Sequence, residues 1–171
     1  RAANAGSAPA QLWLGLAYQA GVLVAQDLAL GRYWLELAAG RGSHEAEYQL
    51  SLLQTDVVSR EHWLTLAAQG GFSQAQVALA ELQQERGELA SARQSFAQAA
   101  QQGNVDARYA YAEMLRLGLG GKEDYSQALQ QYRLAANANH RNAQYRMGIM
   151  REQGWGAPRN RLHAYAWYLL A

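Results

Sequence analysis

The sequence contains no cysteine. Disulfides, thiol nucleophiles and cysteine-based zinc sites are therefore excluded, and the redox compartment stays open. Proline is nearly missing as well, with two in 171 residues, while half of the chain is apolar. That composition can bury a core and is not that of a disordered segment. An excess of charge is also lacking, because 15 basic and 14 acidic residues leave a net charge of +1. No basic face announces nucleic acid, and nothing draws the chain to an anionic membrane. No apolar run approaches the roughly 18–20 residues that span a bilayer. No secretion signal is visible, but the chain begins at Arg1 and not at methionine. A processed or excised piece of a longer protein is expected, so the missing address carries little weight.

What the sequence does have is alanine in pairs. Ala2-Ala3, Ala38-Ala39, Ala67-Ala68, Ala99-Ala100 and Ala135-Ala136 recur, and Ala171 stands where a sixth pair would open. The first alanines are 36, 29, 32, 36 and 36 residues apart. Eight residues after each lies another alanine (Ala10, Ala46, Ala75, Ala107, Ala143). Twelve after it comes a large side chain (Leu14, Leu50, Leu79, Tyr111, Met147), and thirteen after it a small one (Gly15, Ser51, Ala80, Ala112, Gly148). Counting back from the next pair gives a second register. Eleven before it stand Asp27, Asp56, Glu88, Asp124 and Asn160, and three before it Leu35, Leu64, Phe96, Tyr132 and Tyr168. Agreement from both ends of five units establishes an internal repeat. The units run approximately over 2–37, 38–66, 67–98, 99–134 and 135–171.

Each unit reads as two antiparallel helices. Helix A follows a polar start (Ser7, Ser43, Asn104) and carries apolar residues at helical spacing. Helix B starts at the Asp, Glu or Asn, whose side-chain oxygen can accept a free backbone N–H. Gly15 and Gly148 inside helix A each cost about 1 kcal/mol against alanine, which points to a close helix contact. The second and third units are short, and both registers survive, so the deletions are expected in the connection between helices A and B. Full-length connections bear Gly21, Gly118 and Gly154 at one common offset.

The stretches "LGLAYQAGVLVAQD", "LRLGLGGKEDYSQALQQYRLAA" and "MGIMREQGWGAPRNRLHAYAWYLLA" resemble Sel1-like repeats, relatives of the tetratricopeptide repeat. The first, fourth and fifth units match that pattern well. The second and third depart from it in the loop. The resemblance implies an all-α fold, a right-handed α-solenoid of about five stacked αα-hairpins, and a protein-binding role. It also favours a bacterial envelope setting, including exopolysaccharide-export scaffolds. Members that tie each hairpin with disulfides, some associated with penicillin interaction, form a subgroup this cysteine-free chain cannot join.

No catalytic constellation accompanies the repeat. His44, His62, His140 and His163 fall at unrelated offsets without metal-ligand spacing, so no metal or cofactor is expected. The acid pairs Glu45/Glu47 and Glu123/Asp124 sit at helix starts, where carboxylates favour the helix dipole. Trp34, Trp63 and Trp167 share one register and read as structural, whereas Trp13 and Trp155 stand outside it. The loop "GLGGKED" brings three glycines and a lysine together, yet it lacks the strand, the first glycine and the Ser or Thr of a phosphate loop. It reads as the hinge of a repeat.

In the related tetratricopeptide fold helix A lines the concave face, which directs attention to two offsets. Offset ten holds Leu12, Tyr48, Val77, Tyr109 and Tyr145; offset fourteen holds Leu16, Leu52, Glu81, Glu113 and Ile149. Tyrosine offers large area and a polar tip, which suits recognition of a protein or peptide. The same tyrosines could instead pack between adjacent repeats, since every repeat buries two faces. Two alternatives stand beside the scaffold reading. One is a polysaccharide- or cell-wall-acting enzyme using Glu81 and Glu113, since glycoside hydrolysis needs two carboxylates roughly 5–10 Å apart. The other is end-to-end self-association through exposed solenoid ends.

Overall fold

A computed structural model describes residues 1–171. It contains ten helices and no strand: α1 (Ala8–Ala20), α2 (Leu28–Ala39), α3 (His44–Leu52), α4 (Val57–Gln69), α5 (Ser73–Glu85), α6 (Leu89–Gln101), α7 (Val105–Leu117), α8 (Tyr125–Asn137), α9 (Arg141–Gln153) and α10 (Arg161–Leu170). Odd-numbered helices are the expected helices A, and even-numbered ones the helices B. The chain forms two compact units, Arg1–Leu79 and Ala80–Ala171.

The helix starts follow from capping chemistry. The Asp27, Asp56, Asp124 and Asn160 side chains accept the backbone N–H three residues on, satisfying donors that a helix start leaves free. Ser43 and Asn104 do the same for helices A. Glu88 and Ser7 stand at the same kind of position without a side-chain bond. Helices α1, α7 and α9 end on Gly21, Gly118 and Gly154, all left-handed with φ of 68°, 66° and 79°. Glycine takes that conformation without a steric penalty, so the common offset marks a helix stop.

The short units differ from the expectation in one respect. The third unit loses residues only between α5 and α6, as the register requires. In the second unit α3 itself is cut, to 9 residues where α1, α5, α7 and α9 have 13. Only the remainder of that deletion lies in the connection 53–56. The last turn of a helix A can be dropped because the residues that hold the hairpin together, Ala46 and Leu50, lie upstream and stay fully buried.

Each unit has its own core, built from the alanine pairs and the bulky residue three before them. In Arg1–Leu79, Leu35, Ala38, Ala39, Ala46 and Leu50 form one cluster, with Leu12, Leu16 and Trp63 against it. Leu64, Ala67, Ala68 and Ala75 form the next, with Tyr48 and Phe72. In Ala80–Ala171, Tyr132, Leu115, Met147 and Met150 close around Ala128, Ala135, Ala136 and Ala143. The small residue at offset thirteen makes room for this packing. A Cβ on Gly15 would lie 2.8 Å from Leu35 Cγ, and one on Gly148 would enter the Tyr168 ring.

A recurring polar latch lies beneath the alanine pairs. Gln11, Gln76 and Gln144 donate from Nε2 to the carbonyls of Ala3, Ala68 and Ala136, and Arg108 donates from Nε to that of Ala100. All four donors sit nine residues after the first alanine of their pair. Gln76, Gln144 and Arg108 tie the end of one hairpin to helix A of the next, satisfying carbonyls that the helix end leaves free, and Gln11 ties the N-terminal turn to α1.

Candidate interaction surface

The residues at offsets ten and fourteen separate into those that hold repeats together and those that face solvent. In the first unit Leu12 and Leu16 pack on the Leu35 and Leu50 cluster. Tyr48 lies against Phe72, ring centroids 5.3 Å apart, at the start of the following helix A. Leu52 is exposed. In Ala80–Ala171, Tyr109 stacks on His140 at 4.6 Å and 23°, and meets the Tyr132 ring at 5.9 Å. Ile149 is half-buried, Glu81 is exposed and Tyr145 is 53% exposed.

Tyr48 and Tyr109 thus follow one rule: the offset-ten ring meets the residue at offset five of the next repeat, Phe72 or His140. Tyr145 occupies the same offset, and its only ring neighbour is Tyr168 at 5.7 Å, on its own hairpin. Beside it lies an open cavity of about 570 Å³ lined by Arg141, Asn142, Tyr145, Tyr168 and Ala171. Burial and the bond to Glu152 push the Tyr168 hydroxyl up to about 12. It therefore stays a neutral donor through the physiological range. His140 also has a backbone role. It caps α9 by accepting from Ala143 N–H, so it fixes the helix start as well as the Tyr109 ring.

Glu113 does different work from its offset mates. Its carboxylate accepts from Tyr132 Oη at 2.7 Å and from Arg116 Nη2 at 2.6 Å, and pairs with Arg146 Nε at 2.7 Å. These groups come from α7, α8 and α9, so one carboxylate ties a hairpin to its successor. Burial alone would raise its pKa. The hydrogen bonds from Arg116 and Tyr132 and the Arg146 charge more than offset that, and hold it below the ordinary carboxylate range. Burial and the same contact push the Tyr132 hydroxyl well above the ordinary tyrosine range. A carboxylate held ionised by two guanidiniums is unsuited to donating a proton as a general acid. The Glu81 carboxylate remains exposed.

The two tryptophans outside the repeat register part company. Trp155 stacks on Tyr125 at 5.6 Å and 30°, covering the start of α8. Trp13 is exposed beside a cavity of about 360 Å³ lined by Ala3, Ala10 and Leu14. No group of three or more His, Cys, Asp or Glu side chains is gathered where a metal could sit. No helix is long and apolar enough to cross a membrane.

Comparison with known proteins agrees with this architecture. The family model described as Sel1 repeat matches residues 8–43, 105–140 and 141–171. The segment left unmatched holds the two short units. Among solved structures, the chain is similar to c5321, a protective antigen of uropathogenic Escherichia coli with an SLR fold. The TM-score is 0.83 at 27% identity, over 96% of this chain and 38% of that one. It is also similar to a Sel1 repeat protein from Oxalobacter formigenes, with a TM-score of 0.77 at 28% identity over 98% of this chain and 52% of that one. A putative Sel1 repeat protein from Klebsiella pneumoniae shares the fold at 23% identity, with a TM-score of 0.53. The chain spans about two fifths and one half of the first two proteins.

Proposed function

Because the chain belongs to the Sel1 repeat family, an all-α solenoid family of protein-interaction scaffolds, we propose that it is a non-catalytic adaptor that binds a protein or peptide partner through exposed positions of its A helices. The observation that carries this reading is that two A-helix side chains at offset fourteen stay exposed in the middle of the chain, Leu52 at 53% and Glu81. They offer contacts of apolar and acidic character to a partner. Tyr145 is exposed as well, but the position that would meet its ring in a following repeat falls after Ala171. A bacterial envelope assembly is the setting favoured by the resemblance to Sel1-like repeats alone; the solved proteins similar to this chain are bacterial.

The test is capture of a partner from native extract, followed by Leu52→Ser and, separately, Glu81→Gln. Loss of capture with an unchanged melting temperature supports the surface; undiminished capture by both variants removes these positions from it. Replacing Tyr48 or Tyr109 would not serve, because both hold repeats together. End-to-end self-association through the faces of the terminal repeats is the alternative reading, and light scattering across a concentration series separates a monomer from an assembly.

A further inference from the structure

We infer that a pocket between α8 and α9 is a binding site for a small oxyanion, a carboxylate or phosphate group, held by Arg133 and Arg151. The pocket, about 210 Å³, is lined by Ser126, Leu129, Gln130, Arg133 and Arg151. Two guanidiniums, one hydroxyl and one amide meet there without a carboxylate in the wall.

Arg151 is the unusual member. It lies sixteen residues after Ala135, and the same offset in the preceding repeat is Leu115, a fully buried core residue; in the first repeat it is Tyr18. A charge has therefore been placed where no sister repeat has one, the second and third holding the neutral amides Gln54 and Gln83. Its Nε is buried and has no hydrogen-bond partner within the chain. Guanidinium cannot shed its proton, so a half-buried, unpaired one is costly unless an anion joins it.

The acids close by in sequence are engaged elsewhere. Asp124 caps α8, Glu123 bonds to Tyr125, and Glu152 accepts from Tyr168. Ser126 lies in the first turn of α8, where the helix dipole adds to the positive field. The start of α8 is packed next to the pocket: a Cβ on Gly156 would fall on the Tyr125 carbonyl, and Trp155 stacks on the Tyr125 ring. Paired guanidiniums present forked donors that match the planar edge of a carboxylate or a face of phosphate. The volume suits such a group and is below that of ordinary small-molecule clefts, roughly 300–1,000 Å³.

The inference does not rest on the partner-binding reading. It is tested by NMR titration of the protein with sodium phosphate, with sodium acetate, and with a short peptide carrying one aspartate, at fixed ionic strength. Saturable shifts at the Arg133 and Arg151 side chains and the Ser126 amide are expected. Arg133→Gln, an exposed change that leaves the fold alone, should weaken binding at least tenfold. Arg151→Met should abolish it while the melting temperature holds or rises. Saturation with the peptide at lower concentration than with phosphate identifies a partner's carboxylate as the occupant; the reverse identifies a free ion. Shifts that rise linearly, that appear equally at all arginines, or that survive Arg133→Gln would overturn the site.

Discussion

The joint between the first two repeats and the joint between the last two use the same positions for opposite chemistry. In the first unit, offset fourteen is Leu16 and the bulky helix-B position is Leu35, both in an apolar cluster. In the fourth repeat the same two positions are Glu113 and Tyr132, joined by a hydrogen bond and flanked by Arg116 and Arg146. Where those arginines stand, the first unit has Gln19 and Gln49. One backbone geometry therefore accepts an oily joint or an ionic one. The repeat specifies where a joint forms, and the side chains decide how sensitive it is to pH and to single substitutions.

Breaking the ionic joint from one side should have the largest effect. Glu113→Ala leaves the Tyr132 hydroxyl and two guanidiniums facing a partly buried void, and should cost about 3–5 kcal/mol in chemical denaturation. Converting the whole joint to its apolar counterpart should behave differently. The combination Glu113→Leu, Arg116→Gln, Tyr132→Leu and Arg146→Gln is expected to recover most of that loss, because it removes the charges together. Leu35→Ala in the apolar joint should cost about 2–5 kcal/mol with no pH dependence.

Acid sharpens the same contrast. The folded-state pKa of Glu113 lies below its unfolded value, so its contribution is fully present above the unfolded pKa, near 4.5. It is lost as pH falls through the folded value. The wild type should therefore destabilise more steeply below about pH 4.5 than the quadruple variant, the two differing by the uptake of about one proton. Parallel acid limbs in urea melts would show that the carboxylate is not held as the structure places it.

Much of this was readable in advance because repeats give five independent views of each position. Both helix registers, four of the five helix-B caps and the glycine stops came from offsets alone, since each has a local cause: a capping oxygen or a positive φ. The joints were less legible. The buried glutamines at offset nine went unread, because their partners are backbone carbonyls of the preceding alanine pair, which leave no mark in sequence. Tyr109 and Tyr145 look identical in the sequence. What meets each ring lies in the following repeat: His140 stacks on Tyr109, and the matching position for Tyr145 falls after Ala171. Glu113 was read as a groove acid for a similar reason: its arginines lie three residues away and on the next repeat.

The smallest predicted effect comes from the loops that join helix A to helix B. Two residues beyond the glycine stop, the fourth and fifth repeats have Gly120 and Gly156, with φ of 70° and 73°; the first has Leu23, at φ 66°. A Cβ on Gly120 would fall on the Leu89 carbonyl, and one on Gly156 on the Tyr125 carbonyl. Either glycine changed to alanine should cost about 1–3 kcal/mol, from the clash and the left-handed backbone together. Leu23 bears the same left-handed backbone with its side chain 83% exposed, so it gains no packing in return. A left-handed conformation costs a non-glycine residue about 1–2 kcal/mol. Glycine would relieve it but adds roughly 0.4–1 kcal/mol of unfolded-state entropy. Leu23→Gly should therefore stabilise the chain slightly, by about 0.5 kcal/mol, while the reverse change, Gly120→Leu, should be severely destabilising. A loss of stability in Leu23→Gly would mean that the Leu23 side chain is not free in solution.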